Sequence, residues 1–410
     1  MRFFIFISLL FLPGLLFSRT IVVGKTETIK SIKQAIAIAK NGDTVKVQPG
    51  IYKEGSITIS KSVTLLGISF PVIDGESKYE NFIISGKNIK LSGFIIKNSR
   101  HSSSNDYAAI SIIDATIITI ENNKVLNGNF GIHIANSTYV TLNNNTITGE
   151  AVSEQSAGNG IHLWKCDHIA INNNHIQGHR DGIYLEFVTE SNIKNNVSEN
   201  NIRYGLHFMF SHNDNYINNV FRKNGTGVAV MYTHNVRMEG NSFENNWGTA
   251  SYAILLKDIT DSYMINNRFI ENTVGIFMEG VNRMEVKRNV FKSNGWALKI
   301  QANCADNNIG NNNFRSNTFD VATNGTMVLS DFTNNYWDKY DGYDINKDGI
   351  GDVAYHPVSM YSMIIEQNPT ALILLRSFMV TLLDKAEKAI PSLTPENLVD
   401  KKPNMKPFKL

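Results

Sequence analysis

The chain has little cysteine, little proline and almost no net charge. Two cysteines, Cys166 and Cys304, and nine prolines occur in 410 residues. A disulfide-stapled scaffold and a Pro-rich disordered chain are both excluded. Lys and Arg number 39 against 37 Asp and Glu, a net charge of +2 with no basic block, so no nucleic-acid partner is expected. Long apolar runs are also missing, with one exception. Arg2 precedes an apolar stretch from Phe3 to Leu16, broken by Ser8, Pro13 and Gly14. That stretch is shorter than the roughly 20 residues a membrane span needs. It reads as a signal peptide over 1–18, cleaved near Ser18–Arg19, with no cysteine there to carry an acyl anchor. Apolar residues make up 42% of the chain, enough for a real core.

What is plentiful is asparagine, and it is periodic. Tetrapeptides opening on a small residue begin at Gly131, Gly160, Gly182, Gly205, Gly227, Ala253, Gly275 and Ala297, with steps of 29, 22, 23, 22, 26, 22 and 22 residues. A second marker runs in phase through Asn123, Asn145, Asn174, Asn196, Asn219, Asn241, Asn267 and Asn289. Between the markers lie short runs such as Tyr139-Val-Thr-Leu, which alternate polar and apolar residues. Alternation predicts half-buried strands, and the Asn-Asn and Gly punctuation predicts turns. About three strands per repeat of roughly 22 residues make one coil of a right-handed parallel β-helix, and the marker asparagines then stack coil upon coil. The two long steps place inserted loops at 149–159 and 247–251. Six coils separate Cys166 from Cys304, near 29 Å at the strand spacing of about 4.8 Å, so both thiols are expected free.

Open coils need lids. Thr28–Lys40 reads as an amphipathic helix over the N-terminal end of a β-helix spanning 19–340. An Asp/Gly-rich closing segment follows at 341–368. The remainder, 369–410, reads as one helix over 369–390 and a Pro-broken docking tail, with Phe378, Met379, Leu398 and Met405 as its apolar contact residues.

Period two also decides which side chains face outward. One outward stripe contains His133, His162, Tyr184 and His207, and a second beside it contains Trp164, Glu186, Met209 and Met231. A face carrying Trp, His and Met is either a substrate groove, a soft-metal or partner surface, or side chains packed beneath a loop. Thioether and imidazole suit Cu(I), so His207, Met209 and Met231 read as a transient copper site. His162, Trp164, Tyr184 and Glu186 read as a partner surface. A glycosidase needs two carboxylates within roughly 5–10 Å, and Glu186 and Glu279 stand four coils apart, which leaves Asp181 beside Glu186 as the carbohydrate-enzyme alternative. Asp344, Asn346, Asp348, Ile350 and Asp352, with Gly349 at the sixth position, have the spacing of a calcium loop. Tyr355 stands where an EF-hand has its bidentate Glu, so the alternatives are a structural Ca site and a metal-free turn.

Several segments resemble the NosD family: Gly158-Asn-Gly-Ile-His-Leu-Trp, Gly182-Ile-Tyr-Leu-Glu-Phe, Arg203-Tyr-Gly-Leu-His-Phe-Met-Phe-Ser-His, Gly227-Val-Ala-Val-Met-Tyr, Asn294-Gly-Trp-Ala-Leu-Lys, Asn335-Tyr-Trp-Asp and Ser392-Leu-Thr-Pro. The resemblance implies a periplasmic, non-catalytic accessory protein. Its implied partners are an ABC-type permease and ATPase complex at the membrane, a copper chaperone and apo nitrous oxide reductase, whose copper centres it helps to load. No ligand set comes with the resemblance. The metal and partner residues named above rest on the stripes alone.

Overall fold

The computed structural model describes residues 18–102, 104–325, 329–390 and 398–409. The signal peptide read at 1–18 lies, as far as residue 17, outside the described residues, and so does the Ser392-Leu-Thr-Pro motif. The described chain winds into a parallel β-solenoid of about 14 turns.

Each coil is three short strands. In one coil these are Asp181–Thr189, Asn192–Lys194 and Val197–Glu199, and each pairs in parallel with its counterpart on the next coil. The small residue opening each repeat has a steric cause. A Cβ on Gly205 would stand 2.6 Å from the Gly227 carbonyl oxygen of the following coil. Inside, apolar side chains stack like on like: Phe243, Phe269, Phe291 and Phe314 lie ring on ring at 4.8 Å, the strand spacing, and Trp337 ends the column.

The Asn-Asn pairs divide two tasks between them. The first Asn, as at Asn195 and Asn218, takes a left-handed φ near +55°, which Asn tolerates better than most residues. The second turns its amide inward. Asn219 Oδ1 accepts from the Asn196 backbone N–H and Nδ2, and Asn219 Nδ2 donates to the Ile193 carbonyl and to Asn241 Oδ1. This ladder runs unbroken from Asn123 to Asn335. A second buried ladder, Asn201–Asn224–Asn246–Asn272–Asn294–Asn317, lines another corner and escaped the sequence reading.

A third inner line contains a misfit. Asp214 is 1% exposed, and its Oδ1 accepts from the Ser191 N–H at 2.6 Å while Oδ2 has no partner. Burial pushes its pKa up to about 8, against the opposing pull of the Ser191 amide. The folded chain therefore keeps a proton that the unfolded chain releases near pH 4, and stability falls as pH rises from about 4 to about 8. Asn307, further along the same line, fills the position with an amide that both accepts and donates. Asp214→Asn is expected to flatten this slope and to add about 1–3 kcal/mol at pH 8. Urea unfolding of both proteins at pH 5.5 and pH 8 checks it, and identical pH slopes would refute it.

Helix α1 (Ile32–Ile38) covers the N-terminal end, burying Ile32, Ala35 and Ile36. It is shorter than the predicted 28–40, because Ser31 caps its start and Ala39 is already extended. The C-terminal region departs further. Helix α2 (Met360–Gln367) comes first and was not expected from the sequence. The range predicted as one helix, 369–390, then divides into a 3-10 turn (Pro369–Leu374) and helix α3 (Phe378–Ala389). Leu375 is extended, Arg376 has φ +65°, and the Ser377 side chain accepts from the Val380 N–H, so a new helix starts there. No helix among the described residues is long and apolar enough to cross a membrane.

The tail corrects an expectation. Leu398, expected on a partner surface, is 4% exposed and packs into the solenoid's own core. Asp400 is fully buried and accepts from the Asn335 N–H, Asn335 Nδ2 and Trp337 Nε1 at 3.0, 3.1 and 3.0 Å. It occupies the place that a further coil's asparagine would take. Residues 398–409 thus close the solenoid. A strand end without a neighbour must satisfy its donors, and the tail does so from within the chain.

Candidate functional site

The outward face follows from the strand pleat. In Tyr204–Met209, Leu206 and Phe208 are fully buried in the core, which turns His207 and Met209 to the other side. Register then aligns His133 with His162, Tyr184 and His207 on successive coils. Their rings stack at 5.0, 4.9 and 4.7 Å. The column is less open than a solvent-facing stripe, since His162 is 9% exposed and His207 7%. Phe130 stacks beside His162, and Tyr204 with Arg203 flanks His207. The loop inserted after Gly149 shapes a separate hollow. With His101, Asn129 and His179 it lines an open cavity of about 270 Å³ that none of the column residues borders.

Beneath this column sits one strongly bound carboxylate. Asp181 is fully buried, and Arg203 reaches it with Nε at 3.0 Å and Nη2 at 2.7 Å. His207 Nδ1 lies 3.6 Å from Asp181 Oδ2. Burial works to raise the Asp181 pKa, but the Arg203 guanidinium hydrogen-bonded to it, with the His207 ring close by, outweighs burial and holds the carboxyl below its usual range. Burial, and then the adjoining Glu186, pushes the Tyr184 phenol up to about 12. Asp181 is therefore a fixed anion and Tyr184 a neutral ring. Neither is poised to move protons near neutral pH.

The second stripe is in register as well. Trp164 aligns with Glu186, Glu186 with Met209, and Met209 with Met231. All four are partly exposed. Lys165 Nζ lies 4.4 Å from the Trp164 ring centre. Beside the two methionines a ladder of Phe187, Phe210 and Tyr232 stacks at 5.3 and 5.0 Å on the outside of the coils. Each takes a left-handed φ near +50°, at the residue immediately after Glu186, Met209 or Met231. The structure thus brings His207, Met209 and Met231 onto one face, with His207 held by Arg203 and Asp181.

One cluster was not singled out in the sequence. Ligand atoms of Asp106, His133 and His162 all lie within 4.8 Å of one another. Burial lowers the His133 pKa, with Asp106 opposing, and burial lowers that of His162 to about 3, so His162 is a neutral imidazole. His133 and His162 were legible as stripe members. Asp106 was not, because it lies in the segment between 99 and 107, outside the repeat.

The acidic loop and the contact residues fall elsewhere. Asp344 accepts from the Asp348 and Gly349 N–H groups, Asp348 from the Ile350 N–H, and Asp352 from the Ile345 N–H. Asn346 Oδ1 accepts from the Asp348 N–H as well, and Gly349 has φ +88° at the sixth position. The tail pins this loop through Gly351 N–H to the Pro403 carbonyl and Met405 N–H to the Gly349 carbonyl. Phe378 and Met379, at the start of α3, are 81% and 55% exposed.

Similarity to known proteins bears on these features. The family model described as periplasmic copper-binding protein (NosD) matches residues 143–349. A probable ABC transporter binding protein NosD from Stutzerimonas stutzeri is 27% identical over 196 residues, 43% of this chain and 44% of that protein. Its namesake from Pseudomonas aeruginosa is 30% identical over 175 residues, 38% of this chain and 40% of that protein. The match thus spans less than half the length of either relative. Among solved structures, the Dettilon tailspike protein aligns with TM-score 0.61 at 12% identity over 76% of this chain and 70% of that one. An α-1,3-glucanase catalytic unit from Streptomyces thermodiastaticus aligns with TM-score 0.60 at 13% identity over 78% and 66%. At such identities the likeness concerns the solenoid fold alone. The family match covers half of the chain and includes the His162–Tyr184–His207 column and the methionine pair, and on that ground the chain belongs to the NosD family of periplasmic copper-binding proteins.

Proposed function

We propose that this protein is a periplasmic scaffold of an ABC-type complex that assists copper delivery and copper–sulfur centre assembly in nitrous oxide reductase. The observation that carries the reading is the pairing of Met209 with Met231 beside His207, on a face inside the range matched by the copper-binding family. Thioethers and an imidazole favour Cu(I) over harder ions, and a site with few ligands suits cargo in transit. The partners in this reading are the permease and ATPase, a copper chaperone and the apo reductase. Both relatives carry ABC transporter binding protein in their names, which supports the first of these. The exposed Phe378 and Met379 are the contact offered to the membrane complex, Met405 lies on the capping tail, and His162, Trp164, Tyr184 and Glu186 flank the copper path. The Asp344–Asp352 loop is assigned a structural calcium ion, with Ile350 contributing its carbonyl.

A carbohydrate-active enzyme finds less support. Asp181 is already committed to Arg203, and the register neighbours of Glu186 are Trp164 and Met209 rather than a second carboxylate. Cu(I) competition titration tests the copper reading. Met209→Leu/Met231→Leu is expected to weaken Cu(I) binding by at least about tenfold, with the fold intact, because leucine keeps the volume and removes the sulfur. An unchanged Cu(I) affinity would remove the methionines as ligands.

A further inference from the structure

The buried imidazole of His162 presents an unmet need. Neither of its ring nitrogens has a hydrogen-bond partner, although the residue is 9% exposed. Buried polar groups in folded proteins are almost always paired, and an unpaired one points to a missing partner. His133 stands directly beside it on the preceding coil, with ring centres 5.0 Å apart, and the exposed Asp106 closes the group from the side of the 99–107 segment.

We propose that Asp106, His133 and His162 form a binding site for a borderline divalent cation, Cu(II) or Zn(II), separate from the methionine pair. The donor set is two imidazoles and one carboxylate, with no sulfur. That combination prefers Cu(II) and Zn(II) to Cu(I), with Cu(II) the tighter by the usual order of divalent affinities. Ligand bonds of about 2.1 Å in tetrahedral array put donor atoms roughly 3.4 Å apart. The observed limit of 4.8 Å therefore needs a closure of at most about 1.4 Å, shared between the exposed Asp106 side chain and small tilts of the two imidazoles. Three ligands leave one position open to water or to a partner's side chain. Asp106 and His133 both precede residue 143, where the family match begins, so the family likeness neither requires nor predicts this site. Its existence is also independent of the copper-delivery reading.

The test uses the full chain, stripped of metal and titrated with Cu(II) alone and Zn(II) alone. One exposed feature must first be removed. His212 and His234 stack at 4.0 Å on the outer surface and would take up Cu(II) from solution, so the titrations are run in a His212→Gln/His234→Gln background. One equivalent of Cu(II) is expected there, with electron paramagnetic resonance showing coupling to two imidazole nitrogens. Asp106→Asn is expected to weaken binding by at least about tenfold. His162→Phe keeps a ring in the stack and should abolish the two-nitrogen signal. Met209→Leu/Met231→Leu is expected to leave Cu(II) and Zn(II) binding unchanged while losing Cu(I). If His162→Phe does not fold, Asp106→Asn decides the matter, since its side chain is exposed. Loss of all Cu(II) binding in the histidine background, or equal affinity with and without the Asp106 carboxylate, would overturn the proposal.

Discussion

Asp400→Ala is expected to destabilise the C-terminal coils by about 3–5 kcal/mol, more than any other single change in the tail. Asp400 is the last rung of the asparagine ladder, supplied from a point 65 residues beyond Asn335. Its carboxylate receives the Asn334 and Asn335 N–H groups, Asn335 Nδ2, Trp337 Nε1 and the Lys402 N–H. An alanine leaves the Asn335 and Trp337 donors buried with nothing to accept from them, and each such group costs about 1–3 kcal/mol. Asp400→Asn keeps one acceptor where the ladder normally has an amide and is expected to cost about 1–2 kcal/mol. In a solenoid each coil contacts only its neighbours, so the effect is local rather than a uniform shift of one transition. Hydrogen exchange reads it directly. The Asn334 and Asn335 amides and the Trp337 indole N–H should lose protection in Asp400→Ala while the amides of the central coils keep theirs, and unchanged protection at Asn335 would refute the assignment. Truncating the chain before Leu398 removes the same lid, so a truncated protein that fails to associate with partners reports on folding before it reports on docking.

Asn219→Ala has the largest expected effect within the coils, about 3–5 kcal/mol. Asn219 makes four side-chain hydrogen bonds to three residues on the two flanking coils. The deletion strands the Asn196 N–H and Nδ2 and the Ile193 carbonyl in a fully buried corner. Ladders of this kind are cooperative, because each amide is polarised by the next. Asn219→Ser, which keeps a short polar arm, should recover part of the loss, as Ser191 and Ser262 do in another inner line. Denaturant unfolding followed at an aromatic in the same coil, such as Tyr216, measures it. A change below about 1 kcal/mol would mean the ladder is ornamental to stability.

Much of the molecule was legible in the residues themselves. The period of the small residues and asparagines is a local property, repeated until its meaning is unambiguous, and strand alternation fixes which side chains face out. So the coil, the inward asparagines, the alignment of Met209 with Met231 and the free thiols of Cys166 and Cys304 followed without coordinates. Features that depend on segments outside the repeat did not. His162 and His207 face outward as expected, yet Phe130, Tyr204 and Arg203 cover them, and lateral packing leaves no mark in a two-residue period. Asp106 joins His133 and His162 only through the path of a non-repeating segment. The tail looked like a partner's anchor because Leu398 and Met405 are apolar and prolines break it. Only the tertiary structure supplied the competing partner, the open end of the chain's own solenoid, whose unpaired donors at Asn335 and Trp337 needed the Asp400 carboxylate more than solvent or another protein did.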